Sequence, residues 1–191
     1  MRLFIALDID ADVRTRIAEF AHDMRQLAPD VRWVGPETFH VTLQFLGETK
    51  KIAEVQNVLR QAKGSPITLT FRDVGFFPTP KSPRVFWVGI ESDENLRELA
   101  NSIGTALQQL GFDRDKGLFK PHLTLARAGS GRPRPLLGER SAAGLQHVRA
   151  RVETLTAQEF GTMTAPEFYL YESKLLPSGA QYTKLARYPL E

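Results

Sequence analysis

Apolar and polar residues alternate with period two along several short runs and with period near 3.6 along longer ones, dividing the chain into elements. Residues 2–7 alternate and are rich in Phe, Ile and Leu, predicting a strand. Asp10 or Asp12 offers an N-cap. Val13, Ile17, Phe20, Met24 and Leu27 then follow at helical spacing, and Pro29 closes the helix. Residues 31–34 predict a short strand and Gly35-Pro36 a turn; residues 39–46 form a clearly alternating strand that stops at Gly47. A helix fits 52–62, with Ile52, Val55, Val58 and Leu59 inward. Two further strands, 67–77 and 85–91, are joined by the proline-rich turn 78–83.

The second half opens with a helix over 93–110, ended by Gly111. Residues 121–127 alternate again as a strand, 128–135 give the strongest loop signal in the chain, and 135–151 are weakly helical. Residues 160–175 read as extended with a bend at Pro166, and 182–188 as a final strand after the turn 177–179. Strands are separated sometimes by helices and sometimes by tight turns. That mixture predicts an α+β arrangement, with helices packed on largely antiparallel sheets. No linker divides the chain, so residues 1–191 read as a single domain.

One pattern occurs twice. Phe39-His40-Val41-Thr42-Leu43 and Pro121-His122-Leu123-Thr124-Leu125 share His-x-Thr-x, with x apolar. Each copy follows a strand–helix pair, which predicts two similar lobes contributing one motif strand apiece. On a strand, residues i and i+2 share a face. His40 and Thr42 therefore point one way while Val41 and Leu43 point into an apolar layer, and His122 and Thr124 repeat the arrangement. If the two strands lie side by side, two imidazoles and two hydroxyls line one cleft.

Such a set suits attack on a cyclic phosphodiester. One neutral imidazole takes a proton from water, and a protonated imidazole gives one to the leaving sugar oxygen. The Thr hydroxyls can donate to the non-bridging oxygens. The other histidines, His22 and His147, lack such context and are expected at the surface. Metal ligation is the rival use, but close His spacing with a neighbouring carboxylate is missing from both motifs, so no metal is expected.

Composition changes this picture little. A hydrophobic fraction of 42% is enough for a core. Cysteine is absent, which excludes disulfides, thiolate nucleophiles and Cys-based zinc sites, and fits a reducing cytoplasm. No run approaches the ~20 apolar residues of a membrane span, and the opening run is too short for a secretory signal. The net charge of +3 permits an anionic ligand without demanding one.

At these residues the sequence resembles the 2H phosphoesterase superfamily, and within it the RNA 2′,3′-cyclic phosphodiesterases, also called 2′-5′ RNA ligases or LigT-like proteins. The resemblance runs essentially end to end. It is carried by the opening Arg2-Leu-Phe-Ile-Ala-Leu, Arg32-Trp-Val, Phe39-His-Val-Thr-Leu-Gln-Phe-Leu-Gly47 and Arg84-Val-Phe-Trp-Val-Gly89. It continues through Lys120-Pro-His-Leu-Thr-Leu-Ala-Arg127 and the endings that start at Tyr171 and Tyr182. The resemblance implies a bilobal fold with pseudo-two-fold symmetry, two mostly antiparallel sheets facing a central cleft, and helices outside. It implies hydrolysis of RNA 2′,3′-cyclic phosphate ends to 2′-phosphates without metal or cofactor, and a reversible 2′-5′ joining of RNA ends. The partner it implies is an RNA end, single-stranded or tRNA-like; we expect a monomer. The catalytic set it implies is His40 and His122, with Thr42, Thr124 and Arg127 on the phosphate. We favour His122 as the base and His40 as the acid, but the two motifs are nearly symmetric and the sequence does not assign these roles.

Strict alternation would put Arg127 on the opposite face from His122, so the strand is expected to end or bend there, as Gly129 suggests. Arg132 and Arg134, in the following loop, are candidates for the RNA backbone. Phe45, Phe119, Tyr171 and Tyr182 are candidates for stacking on the terminal base, although parity buries Phe45. Trp33 and Trp87 are expected in the core. Two alternatives stand beside the main reading: the same chemistry on ADP-ribose 1″,2″-cyclic phosphate or a 2′-5′ oligonucleotide, and a module that holds RNA ends without turnover.

Overall fold

The structure is a computed structural model that describes residues 1–113, 119–129, 135–177 and 179–191, with the backbone alone over 135–142. Its strands are β1 (Arg2–Asp8), β2 (Arg32–Trp33), β3 (His40–Glu48), β4 (Ile67–Thr79), β5 (Ser82–Ser92), β6 (His122–Arg127), β7 (Glu159–Ala165), β8 (Glu167–Leu176) and β9 (Gly179–Pro189). Its helices are α1 (Ala11–Leu27), α2 (Ile52–Leu59), α3 (Glu94–Gln108) and α4 (Pro135–Val152). One sheet, here sheet A, has the order β3-β1-β8-β9; sheet B has β2-β6-β5-β4-β7. All seven strand pairings are antiparallel. The α+β reading holds.

Local signals account for most boundaries. Asp10 caps α1, its carboxylate accepting from the Val13 N–H at 2.8 Å. The inward stripe Val13, Ile17, Ala21 and Met24 is buried. Helix α2 stops at Leu59, short of the expected Ala62. The strands β4 and β5 run through most of the proline-rich segment, leaving only Pro80-Lys81 as the turn. The expected bend at Pro166 is a larger event: β7 pairs with β4 in sheet B, β8 pairs with β1 in sheet A, and the proline marks where the chain crosses between sheets. Proline cannot donate to a ladder, which suits it to this point.

The helices are shared between the sheets. Helix α1 follows β1 of sheet A but packs on β7, whereas α3 follows β5 of sheet B and packs on β3. One continuous core results, holding Leu3, Ile5, Leu7, Val41, Leu43, Phe71, Phe86, Val88, Leu123 and Leu125. The topology around each motif strand repeats, since β1 pairs with β3 and β5 pairs with β6, each time with a helix between the partners. Among the described residues, no helix is long and apolar enough to cross a membrane.

Candidate active site

Each motif strand carries the same irregularity. In the β1–β3 ladder, Ala6 faces Thr42 and Ile5 faces Gln44, so Leu43 is an extra residue. In the β5–β6 ladder, Trp87 faces Thr124 and Phe86 faces Ala126, so Leu125 is extra. A bulge of this kind places two successive side chains on one side and reverses the parity beyond it. Leu43 and Gln44 are both buried, as are Leu125 and Ala126. Beyond the bulges, Phe45 and Arg127 swing onto the faces of His40 and His122 respectively.

One expectation is thereby corrected and one is explained. Phe45 is 50% exposed, not buried, because the Leu43 bulge resets the alternation. Arg127 reaches the His122 face through the bulge at Leu125, and its guanidinium donates to Thr124 Oγ1 at 3.5 Å. The strand does end at Arg127, and Gly129 adopts φ +103° shortly after. Trp87 is a second correction. It lies outside the apolar core on the Thr124 side of sheet B, its ring 6.4 Å from that of His122. Trp33 is packed against the core as expected, donating from Nε1 to the Ala28 carbonyl at 2.9 Å. His22 and His147 are exposed. Arg132 and Arg134 lie outside the described residues.

The two histidines are held alike. Nδ1 of His40 lies 2.7 Å from the Thr38 carbonyl, and Nδ1 of His122 lies 2.7 Å from the Lys120 carbonyl. A carbonyl oxygen can only accept, so Nδ1 carries the proton in both rings and Nε2 is left to exchange one. Aromatic rings brace each imidazole. Phe4 and Tyr182 stand 4.9 and 5.3 Å from His40, while Phe77 stands edge-on to His122 at 5.0 Å. On the cleft side of sheet A, Phe4, Ala6 and Tyr171 form a second apolar cluster, with Tyr169 and Tyr182 against it. Phe119, another stacking candidate, is instead packed against the main core.

Electrostatics tie the halves together. Burial pushes the His40 imidazole below its ordinary value. The Thr38 carbonyl and the Asp8 carboxylate oppose that shift, whereas positive charge on Arg127 and His122 adds to it. Burial and Arg127 lower His122 in the same way, against the Lys120 carbonyl. Both rings therefore sense one guanidinium, and charge on His122 reaches His40. The two motif strands β3 and β6 are also in contact. Asp8 sits opposite His40 in the β1–β3 register, and burial alone would raise its carboxyl. Lys184 at 2.7 Å, the Ile9 N–H and Arg14 outweigh burial and hold it below the usual carboxylate range.

Asp8, Trp87 and Phe77 were not foreseen as neighbours of the histidines. Asp8 had a signal in hindsight, as the polar end of an otherwise apolar strand. No group of three or more potential metal-ligating side chains occurs among the described residues.

Residues 11–161 match the family model of the 2′-5′ RNA ligase superfamily. The chain belongs to this superfamily. An RNA 2′,3′-cyclic phosphodiesterase of Archaeoglobus fulgidus is 36% identical over 187 residues, covering 97% of this chain and 98% of its own. One of Methanothermobacter thermautotrophicus is 31% identical over 189 residues, covering 97% and 96%. Among solved structures, a Thermus thermophilus protein superposes with TM-score 0.77 at 27% identity, over 99% of this chain and 97% of its own. E. coli LigT complexed with 3′-AMP superposes with TM-score 0.74 at 26% identity, over 99% and 97%. The resemblance drawn from the motifs and the fold it implied are thus shown for the whole chain.

Proposed function

We propose that this superfamily member hydrolyses RNA 2′,3′-cyclic phosphate ends to 2′-phosphates without a metal, as one domain of two lobes that share the cleft. The observation that carries the reading is the matched pair of imidazoles, each with Nδ1 committed to a carbonyl and each within reach of the field of Arg127. The names of the relatives supply the substrate class.

Water attacks phosphorus in line with the 3′ oxygen. Nε2 of His122 takes the water's proton, a P–O bond forms, and the P–O3′ bond breaks. Nε2 of His40 donates its proton to O3′, leaving a 2′-phosphate and a free 3′-hydroxyl. The Asp8 carboxylate favours the imidazolium of His40, which supports His40 as acid and His122 as base. Thr42, Thr124 and Arg127 hold the non-bridging oxygens, where charge grows. A 5′-hydroxyl of a second RNA end in place of the attacking water runs the same steps in the same direction: its P–O bond forms as P–O3′ breaks, leaving a 2′-5′ phosphodiester and a free 3′-hydroxyl. The exposed Phe45, 6.2 Å from Phe4, offers a face to the terminal base. A cytoplasmic monomer meeting RNA ends fits this chemistry.

The test is incubation with EDTA and an oligoribonucleotide ending in a 2′,3′-cyclic phosphate, followed by identification of the terminal phosphate. A 2′-phosphate product that His40→Ala and His122→Ala each slow by about 10²–10⁴-fold is expected. Binding without turnover in the wild type overturns the reading and leaves an RNA-end-binding module.

A further inference from the structure

We propose that the cleft contains a second phosphate subsite, formed by Arg32 beside Arg127, for the phosphodiester on the 5′ side of the terminal nucleotide. The inference rests on the proposed hydrolysis of RNA ends and specifies how much of the RNA is held.

The placement comes from the register of the shortest strand. Strand β2 pairs with β6 so that Arg32 stands directly opposite Arg127 and Trp33 opposite Ala126. Residues directly opposite across a ladder share a face. Trp33 turns into the core, edge-on to Phe86 at 6.1 Å, and Arg32 therefore projects with Arg127 toward the cleft. Arg32 is exposed there.

Two like charges directly opposite across a ladder are destabilising. Among the described residues, no carboxylate forms an ion pair with either guanidinium. Partial burial and the charge of Arg32 both push the Arg127 guanidinium below its ordinary range. An arrangement disfavoured in the free protein becomes favourable once anions lie against it. The phenol of Tyr182 feels Arg127, Arg32 and Arg2 in that order, and the same ring lies 5.3 Å from His40. The arginine pair is thus continuous with the acid–base pair.

The two arginines are assigned to successive phosphates. Arg127 is bonded to Thr124 and belongs with the phosphate under attack. Arg32 lies one strand further out, about 4.8 Å away at the backbone, and a long flexible side chain extends that reach to the neighbouring phosphate of a single RNA strand. Guanidinium groups bind phosphate oxygens two at a time, and such contacts position the chain without reading its sequence. The class of substrate favoured is an RNA end of at least two nucleotides, of any sequence.

Three substrates separate the possibilities: a nucleoside 2′,3′-cyclic phosphate, its 5′-phosphorylated form, and a dinucleotide ending in the same cyclic phosphate. The wild type is expected to favour the dinucleotide over the plain nucleoside in kcat/KM by about tenfold, the order of one charge-assisted contact. Arg32→Gln should abolish that preference and Arg32→Lys should keep part of it. Binding of a dinucleotide bearing a 2′-phosphate reads the same contact without turnover. Its salt dependence should be shallower in Arg32→Gln by about 0.7 in log–log slope.

Equal kcat/KM for nucleoside and dinucleotide in the wild type overturns the subsite. So does an Arg32→Gln loss of the same factor on all three substrates, which makes Arg32 a support for Arg127. A preference confined to the 5′-phosphorylated nucleoside overturns the assignment to a phosphodiester. Absence of turnover with an Arg32-dependent salt slope intact tells against hydrolysis and leaves the subsite standing.

Discussion

Gly75 faces Trp87 across the β4–β5 ladder, and the indole lies over it. A Cβ at this position would stand 2.2 Å from Cζ2, 2.3 Å from Cη2 and 2.9 Å from Cε2 of that ring. Relaxed carbon–carbon contact begins near 3.5 Å, so Gly75→Ala must displace the ring by roughly 1.3 Å. Trp87 packs on Phe77 at 5.0 Å, and Phe77 in turn stands at 5.0 Å from His122. Overpacking of this kind costs about 1–3 kcal/mol. Misplacing a supporting group by about 1 Å costs on the order of 10²-fold in rate.

Gly75→Ala should therefore lower the urea midpoint and slow turnover of a cyclic phosphate end together. In a Trp87→Leu background the collision is gone. The same glycine change should then stabilise by about 0.4–1 kcal/mol, through the entropy it removes from the unfolded chain. The reversal of sign in this double-mutant cycle is the diagnostic result. Equal destabilisation in both backgrounds would refute the reasoning by placing the constraint in the backbone. Full activity in Gly75→Ala alone would show that Trp87 does not brace His122.

The pH dependence of kcat/KM offers further checks. With the two histidines acting as the proposed acid and base, kcat/KM should be bell-shaped in pH, with limbs that report the two together. Arg127→Gln removes a charge that disfavours both imidazolium forms. Its alkaline limb should move to higher pH while the rate falls through loss of the proposed phosphate contact. Asp8→Asn removes the carboxylate that favours the His40 imidazolium, and its alkaline limb should move to lower pH. Phe45→Ala should raise KM for base-bearing substrates by about 5- to 150-fold, on the order of 1–3 kcal/mol per stacked base; an unchanged KM removes Phe45 from the substrate's path.

The motif strands were legible because alternation is a local property, and Val41, Leu43, Leu123 and Leu125 are all buried as it demands. The capped helix α1 was legible for the same reason. The bulges at Leu43 and Leu125 were not, since an extra residue is defined against a partner strand that the sequence does not identify. Phe45 was consequently misplaced, and Arg127 could be placed only through the family resemblance. Arg32 went unremarked as a site residue because its position opposite Arg127 depends on a two-residue pairing 95 residues apart in the chain, between Arg32 and Arg127. At Pro166 the local bend was visible, but the change of sheet was not.

Sheet A draws β3 and β1 from the beginning of the sequence and β8 and β9 from its last stretch. Sheet B has all five of its strands once Ala165 has been made. During synthesis, β1 waits with one flank open until β8 emerges, so the His40 half of the cleft is completed after the His122 half. A chain truncated after Pro166 would display an unfilled slot beside β1, into which a peptide copying residues 167–176 should anneal.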